Sequence, residues 1–180
     1  MRTPLIVAAY LGAIIAANLS TAHFGPEASI VNAFLFIGLT LSTRDVLQEI
    51  WGSNRWRNMA LLIGGGSALS YVASLTLADS AIPSEVVAKI ALASMTAFVI
   101  AETADLLTYT GLKARGWDWL ERANSSNIVG AALDSVVFVT IAFGFSWQIA
   151  FAQFSAKVVG GFVWSMILKQ RVEKVEPSWG

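Results

Sequence analysis

The stretch SNIVGAALDSVVFVTIAFGFSWQIAFAQFSAKVVGGFVWSMILKQ, residues 126–170, decides the fold. It holds two apolar runs, 126–145 and 148–170, parted by turn chemistry at Gly144-Phe145-Ser146. A helix needs about 20 mostly apolar residues to cross the hydrocarbon core of a bilayer, and both runs have that length. Only helices and closed barrels satisfy their backbone in lipid, and these runs are too long and unbroken for barrel strands. Each carries one charge near its middle, Asp134 in the first and Lys157 in the second. A charge in hydrocarbon is costly unless it is paired or faces a watery cavity, so such a residue marks a functional site.

Working outward, four more runs follow the same pattern: 4–22, 29–51, 58–78 and 86–112. The spacing predicts an all-α integral membrane protein, a bundle of six transmembrane helices in one domain over 1–171. A polar cytoplasmic tail, 172–180, is expected to follow it. Composition agrees: 56% of the 180 residues are hydrophobic, only 13% are charged, and the mean hydropathy is +0.63. Soluble domains carry about 25% charged residues, so lipid must be the solvent for much of this surface. The first run reads as a membrane helix rather than a cleaved signal, because further spans follow it.

Zero net charge argues against binding nucleic acid through its phosphates. With no cysteine and a single histidine, His23, no disulfide, thiolate chemistry or metal cluster is expected, and no cofactor. No enzyme signature is present. Gly64-Gly65-Gly66 lacks the lysine and hydroxyl residue of a phosphate loop and falls inside a span.

Lysines and arginines set the orientation. Arg2, then Arg55 and Arg57, then Lys113, Arg115 and Arg122, then Lys169, Arg171 and Lys174 all fall on one side, against Lys89 on the other. The positive-inside rule places both termini in the cytoplasm. Trp51, Trp56, Trp117, Trp119 and Trp147 fall where an aromatic belt would sit. Residues 116–126 are expected to form an interfacial helical turn, with Asn124, Ser125 or Ser126 capping the fifth span.

Four spans carry their charges at similar depth. Counting about 1.5 Å of rise per residue, Asp45, Glu102, Asp105, Asp134 and Lys157 fall in one slab between the midplane and the cytoplasmic side, with Glu49 shallower. Phase sharpens the picture. Asp45 and Glu49 share one helix face, and Glu102, Asp105 and Tyr109 share another. Asn127, Gly130, Asp134 and Phe138 form a third stripe, and Gln153, Lys157, Gly160, Gly161 and Trp164 a fourth. Arg44 points about 100° from Asp45, toward an acid on another helix or inward along its own stem. The bland alternative is a set of ion pairs that fixes helix registry. Five acids against Arg44 and Lys157 cannot all pair off, so at least one carboxyl is protonated, hydrated or free for a donor ligand. His23 reads as an interfacial residue, and Asn18, Ser20 and Asn32 as lining an outer mouth or bonding across helices. The small-residue repeats Ala9/Ala13/Ala17 and Gly66/Ser70/Ser74 read as close helix packing, within the chain or with a partner.

The ordered set Asp45-x-x-x-Glu49-x-x-Gly52, Ala101-Glu102-x-x-Asp105, Arg122-x-Asn124-x-Ser126, Gly130-x-x-x-Asp134-Ser135-x-x-Phe138 and Ile141-Ala142-Phe143 resembles the VUT family of bacterial queuosine-precursor transporters. The resemblance runs from about Asn18 to Lys157. It implies a multi-pass protein of the bacterial inner membrane that imports a 7-deazapurine such as 7-cyano-7-deazaguanine. Such a base offers an N–H and an amine side by side, which one carboxylate can accept, and a carbonyl that needs a donor. On that reading Asp134, with Glu102 or Asp105, takes the base edge, and Lys157, Gln153 or Asn18 donates to the carbonyl. Phe143, Trp147 or Trp164 gives the flat ring a wall. Asp45, Glu49 and Arg44 are assigned to a cytoplasmic gate or proton relay. Uptake is then proton-coupled or a facilitated diffusion drawn by consumption inside the cell. The chain has no nucleotide-binding motif of its own. The alternative is a substrate-binding membrane subunit of an ATP-energised vitamin uptake system, docked through the small-residue repeat of the first span. Expected partners are the substrate, the bilayer, and either a homo-oligomer or an energising subunit. An intramembrane hydrolase using Asp45 and Asp105 lacks the usual aspartyl signature.

Overall fold

The structure, a computed structural model, describes residues 3–79 and 81–172. Among the described residues every regular element is a helix: α1 Thr3–Phe24, α2 Pro26–Asn32, α3 Gly38–Trp51, α4 Arg55–Leu77, α5 Ser84–Ala114, α6 Trp119–Phe143 and α7 Trp147–Val172. Of the expected tail, only Val172 falls within them, as the end of α7; Arg2 and Lys174 lie outside the described residues.

Five of the described helical runs are long and apolar enough to cross a membrane, where six separate spans were expected. The discrepancy lies in Pro26–Leu77, a helical run of 52 residues. At 1.5 Å per residue such a run would reach about 78 Å, more than twice the hydrocarbon thickness. It is interrupted at Gly52, whose φ of +49° is a conformation that side chains resist, and by a tight turn over Gly52–Asn54. The break expected at Gly52-Ser53-Asn54 thus lies inside helical structure. Helix α1 packs on both halves, α3 and α4.

The bundle has two ends, named here for their glycine turns. At the Gly52 end, Lys113 of α5 and Arg122 of α6 meet Glu49 of α3. At the Gly25 end, Ala22, Ile90, Ala142 and Phe143 pack together. A larger apolar core nearer the Gly52 end joins Tyr10, Leu47, Met59, Phe98, Tyr109 and Trp119. The outward surface is apolar, with Leu61, Leu69, Val72, Leu107, Phe162 and Ile167 exposed, while Arg44, Asp45, Asp105 and Lys157 are buried. This distribution is the one a lipid solvent selects.

Three expectations at the Gly52 end change. Residues 119–125 belong to α6, so no separate interfacial turn precedes it. The cap is Asp118, whose carboxylate accepts the Glu121 backbone N–H at 3.0 Å. Asp118-x-x-Glu121 was already the spacing of a capping box. Trp119 then turns into the core instead of joining the belt, while Trp56, Trp117 and Trp147 stay exposed.

Between α2 and α3 the helix widens to a π turn over Ala33–Ile37, where the Gly38 N–H reaches back to the Ala33 carbonyl. The widened turn lies against α7 with no side chains between the backbones. A Cβ on Gly38 would come within 2.7 Å of the Gly160 carbonyl carbon, and one on Gly160 would overlap the Phe34 carbonyl oxygen. Trp164 Nε1 donates to the Leu35 carbonyl at 3.2 Å. Ser42 Oγ donates to the Gly161 carbonyl at 2.9 Å and lies 3.0 Å from Ser165 Oγ. The stripe Gly66, Ser70, Ser74 faces α1: Gly66 abuts Leu11, and Asn18 donates to Ser70 and Ser74. Ala13 and Ala17 are buried in the bundle, so only Ala9 of their repeat is on the surface.

Candidate functional site

Charged side chains stack in three tiers from the Gly52 end inward. The outermost is built on Glu49. Tyr109 donates to it at 2.7 Å, Arg122 Nη2 lies 3.2 Å away, and Lys113 forms a second ion pair. Arg122 also donates to Tyr109 Oη at 3.1 Å and to the Trp117 carbonyl at 2.9 Å. This ties α3, α5 and α6 together where they leave the bundle.

The middle tier is centred on Arg44, which is fully buried. Its Nη1 donates to Glu102 Oε1 at 2.8 Å, and its Nη2 donates to Asn127 Oδ1 at 2.6 Å. Nη2 also lies 2.8 Å from Asp105 Oδ1, and Nε and Nη2 each reach Asp45 Oδ1 at 3.3 Å. Asn127 Nδ2 returns a bond to Asp45 Oδ2 at 3.3 Å, and Tyr10 donates to Glu102 Oε2 at 3.4 Å. One planar guanidinium thus holds residues of α3, α5 and α6, which suits arginine's fixed fork of donors.

The innermost tier joins α6 to α7. Lys157 Nζ lies 2.5 Å from Asp134 Oδ2 and donates to Ser135 Oγ at 3.1 Å and Gln153 Oε1 at 3.0 Å. Gln153 Nε2 donates in turn to Ser29 Oγ at 2.8 Å. Asp134 is the least buried member of these tiers' carboxylates, with 19% of its side chain exposed, and that exposure is to a cavity.

The cavity lies between the middle tier and the Gly25 end. Its polar lining is Asn18, Thr21, Ser29, Asn32, Thr40, Ser94, Glu102, Asp134, Gln153 and Lys157, and its apolar walls include Ile14, Leu41, Phe98 and Phe138. About 610 Å³ is free of atoms, but a water molecule's centre fits in only about 40 Å³ of it. The space is a slim cleft that must widen before it takes a bicyclic molecule. Its donors and acceptors converge from α1, α2, α3, α5, α6 and α7, with aromatic faces on α5 and α6, the usual make-up of a small-molecule site.

The sequence-selected residues divide accordingly. Asn18, Glu102, Asp134, Gln153 and Lys157 meet at the cavity. Asp105 does not line it; it lies on Arg44 in the tier below. Phe143 packs edge-on against Phe138 toward the Gly25 end, and Trp164 is spent on the Leu35 carbonyl, so neither walls the cavity. Trp147 is exposed and stacks on Phe151. Arg44 reaches acids on another helix, Glu102 and Asp105, as its phase suggested, and its own neighbour Asp45 too. Glu49 is neutralised by Lys113 and Arg122, two residues that sequence reasoning placed between spans and gave no part in the site. Phe98, Phe138, Thr21 and Ser29 are cavity residues that were not singled out as binding residues. Phe138 had a signal, its place on the Asp134 stripe; Phe98 had one too, standing one turn before Glu102. Among the described residues no group of His, Cys, Asp and Glu could hold a metal ion.

A family model described as "Putative vitamin uptake transporter" matches residues 32–170. No curated protein and no solved structure matches the chain.

Proposed function

Because the chain belongs to the vitamin uptake transporter family and is a multi-pass membrane transporter, we propose that it imports a 7-deazapurine queuosine precursor across the bacterial inner membrane. On this reading Pro26–Leu77 crosses twice, turning at Gly52, which gives six crossings and two cytoplasmic termini. The lysines and arginines then place the Gly52 end inside and the Gly25 end, with the cavity, toward the outside.

The observation that carries the reading is the pairing of acceptors and donors around one flat cleft. Glu102 and Asp134 are carboxylates able to take the adjacent N–H and amine of a guanine-like edge. Lys157, Gln153 and Asn18 are donors for its carbonyl, and Phe98 and Phe138 are ring faces. The substrate's donor edge competes with Lys157 for Asp134; the freed ammonium becomes the donor for the carbonyl. The Arg44 and Glu49 tiers below form the closed inner gate.

The test uses bacteria lacking both queuosine-precursor synthesis and their own importer. The chain is expressed, 7-cyano-7-deazaguanine is supplied at nanomolar levels, and queuosine is scored in tRNA. Queuosine is expected with the wild type and not with an equally expressed Asp134→Asn variant. A well-expressed wild type that gives no queuosine sinks the substrate assignment.

A further inference from the structure

We infer that, if the chain imports a 7-deazapurine as proposed, Asn32 reads the pyrrole N–H of that base and so selects the free base over its nucleoside. Asn32 ends α2, is buried, and lines the cleft. Its Nδ2 donates to the Ala17 carbonyl at 3.2 Å and to Thr21 Oγ1 at 3.1 Å. The first bond fixes which way the amide faces, because a backbone carbonyl only accepts. Both donors of Asn32 are thereby spent on α1, and among the described residues nothing donates to its Oδ1. That oxygen is not sealed among protein atoms, so it opens on the cleft as an unused acceptor.

Asn18 differs. Its partners are the hydroxyls of Ser70 and Ser74, which donate as readily as they accept, so its amide can present either end. Beside Asn32, the Thr21 hydroxyl completes a pair. Its oxygen accepts from Asn32, and among the described residues its hydrogen goes to no protein group. An acceptor and a donor thus stand side by side on the α1–α2 wall. In a free 7-deazapurine the pyrrole N–H and the ring nitrogen across the fusion carbon offer the complementary donor and acceptor. A nucleoside carries its sugar on that pyrrole nitrogen. It brings no donor to Asn32 and adds a ribose to a cleft that is already slim.

The spacing along α1 agrees. Glu102, which takes the amine edge, is tied to Tyr10, and Asn32 is tied to Ala17. Between those two anchors α1 rises about 10 Å. A flat bicycle that bonds a carboxylate at one edge and an amide oxygen at the other, each over about 2.9 Å, spans a similar length. A ligand without the N–H leaves the Asn32 oxygen covered and unpaired, and sites built to bond such a group reject ligands that lack it.

The experiment measures, by calorimetry on the full chain in detergent, the binding of 7-cyano-7-deazaguanine, of its nucleoside, and of an analogue with a ring oxygen in place of the pyrrole N–H. The oxygen analogue has the size of the base and keeps its guanine-like edge. Wild type is expected to bind it about ten- to a hundredfold more weakly than the base, and the nucleoside more weakly still. In Asn32→Ala the base is expected to lose affinity while the oxygen analogue does not, so their ratio collapses toward equality. A merely structural role for Asn32 would weaken both ligands alike and leave the ratio unchanged. Equal binding of base and oxygen analogue by the wild type overturns the inference and leaves import standing, whether or not the variant folds. An unchanged ratio in folded Asn32→Ala, or in the similar-sized Asn32→Leu, overturns it as well. Failure of the wild type to bind the base at all removes the substrate reading itself.

Discussion

Arg44 has no exposed surface, and residues from three helices depend on its single charge. Removing one partner of a buried ion cluster costs about 3–5 kcal/mol, because the others are left uncompensated. Arg44→Met is therefore expected to lower the thermal unfolding temperature in detergent sharply. Arg44→Lys should recover part of the loss, since it restores the charge without the fork. At this scale the charged half of the site was legible in the sequence, because a charge inside an apolar run has no cheap explanation. Its pairings were not. Lys113 and Arg122 look like ordinary loop charges until α5 and α6 are seen to continue past the apolar stretch and carry them back to Glu49. Nor could Phe98 and Phe138 be told with certainty from lipid-facing Phe162 by residue type; only helical phase and neighbours separate them.

Among the elements, the crossing of the π turn with α7 is the tightest, and it is made by glycines. Gly160→Ala would drive a methyl into the Phe34 carbonyl, while Gly64→Ala meets nothing within 4 Å. The first should destabilise the bundle measurably. The second should be neutral or stabilising by up to about 1 kcal/mol, the helix-propensity gain of alanine over glycine. Unfolding of the two variants in the same detergent checks the contrast. If the pair behaved alike, the seam would not be the contact described. The apolar pattern revealed the existence of these helices but misplaced the start of α6. Asn124-Ser125-Ser126 offers capping residues nearer the apolar run than Asp118-x-x-Glu121 does, and the apolar pattern alone favours the nearer set. The π turn left no mark in the sequence, since its residues are as apolar as those on either side.

For the whole molecule, the tiers make a closed Gly52 end beneath a cleft that approaches the Gly25 end. On the proposed reading the Glu49 tier is part of the inner gate, and Glu49→Gln should then weaken it by removing the charge that Lys113 and Arg122 share. The chain has no cysteine, which makes any introduced thiol a unique reporter. Ser126→Cys places one on a fully buried position beside Asp105 in the Arg44 tier. Its labelling by a membrane-impermeant maleimide added at the Gly52 side is expected to rise several-fold when Glu49→Gln is added. Equal labelling in both backgrounds would remove Glu49 from the gate. The overall class, an all-helical membrane bundle with a polar interior, was readable from composition and spacing alone. The number of separate spans was harder to read, because a glycine turn that stays helical on both sides does not interrupt the chain's helical run.

The pairing of Asp134 with Lys157 bears on how such a chain is made. Asp134 is synthesised on α6, and its cation arrives only with α7. While the nascent chain leaves the insertion machinery, α6 must therefore wait at the protein-conducting channel, or hold its acid near water, until the following helix emerges. Gly38 of α3 waits for the same helix to supply Gly160. Maturation of the cleft is thus a late event in biogenesis, completed by one helix that delivers both the last charge and the last backbone contact.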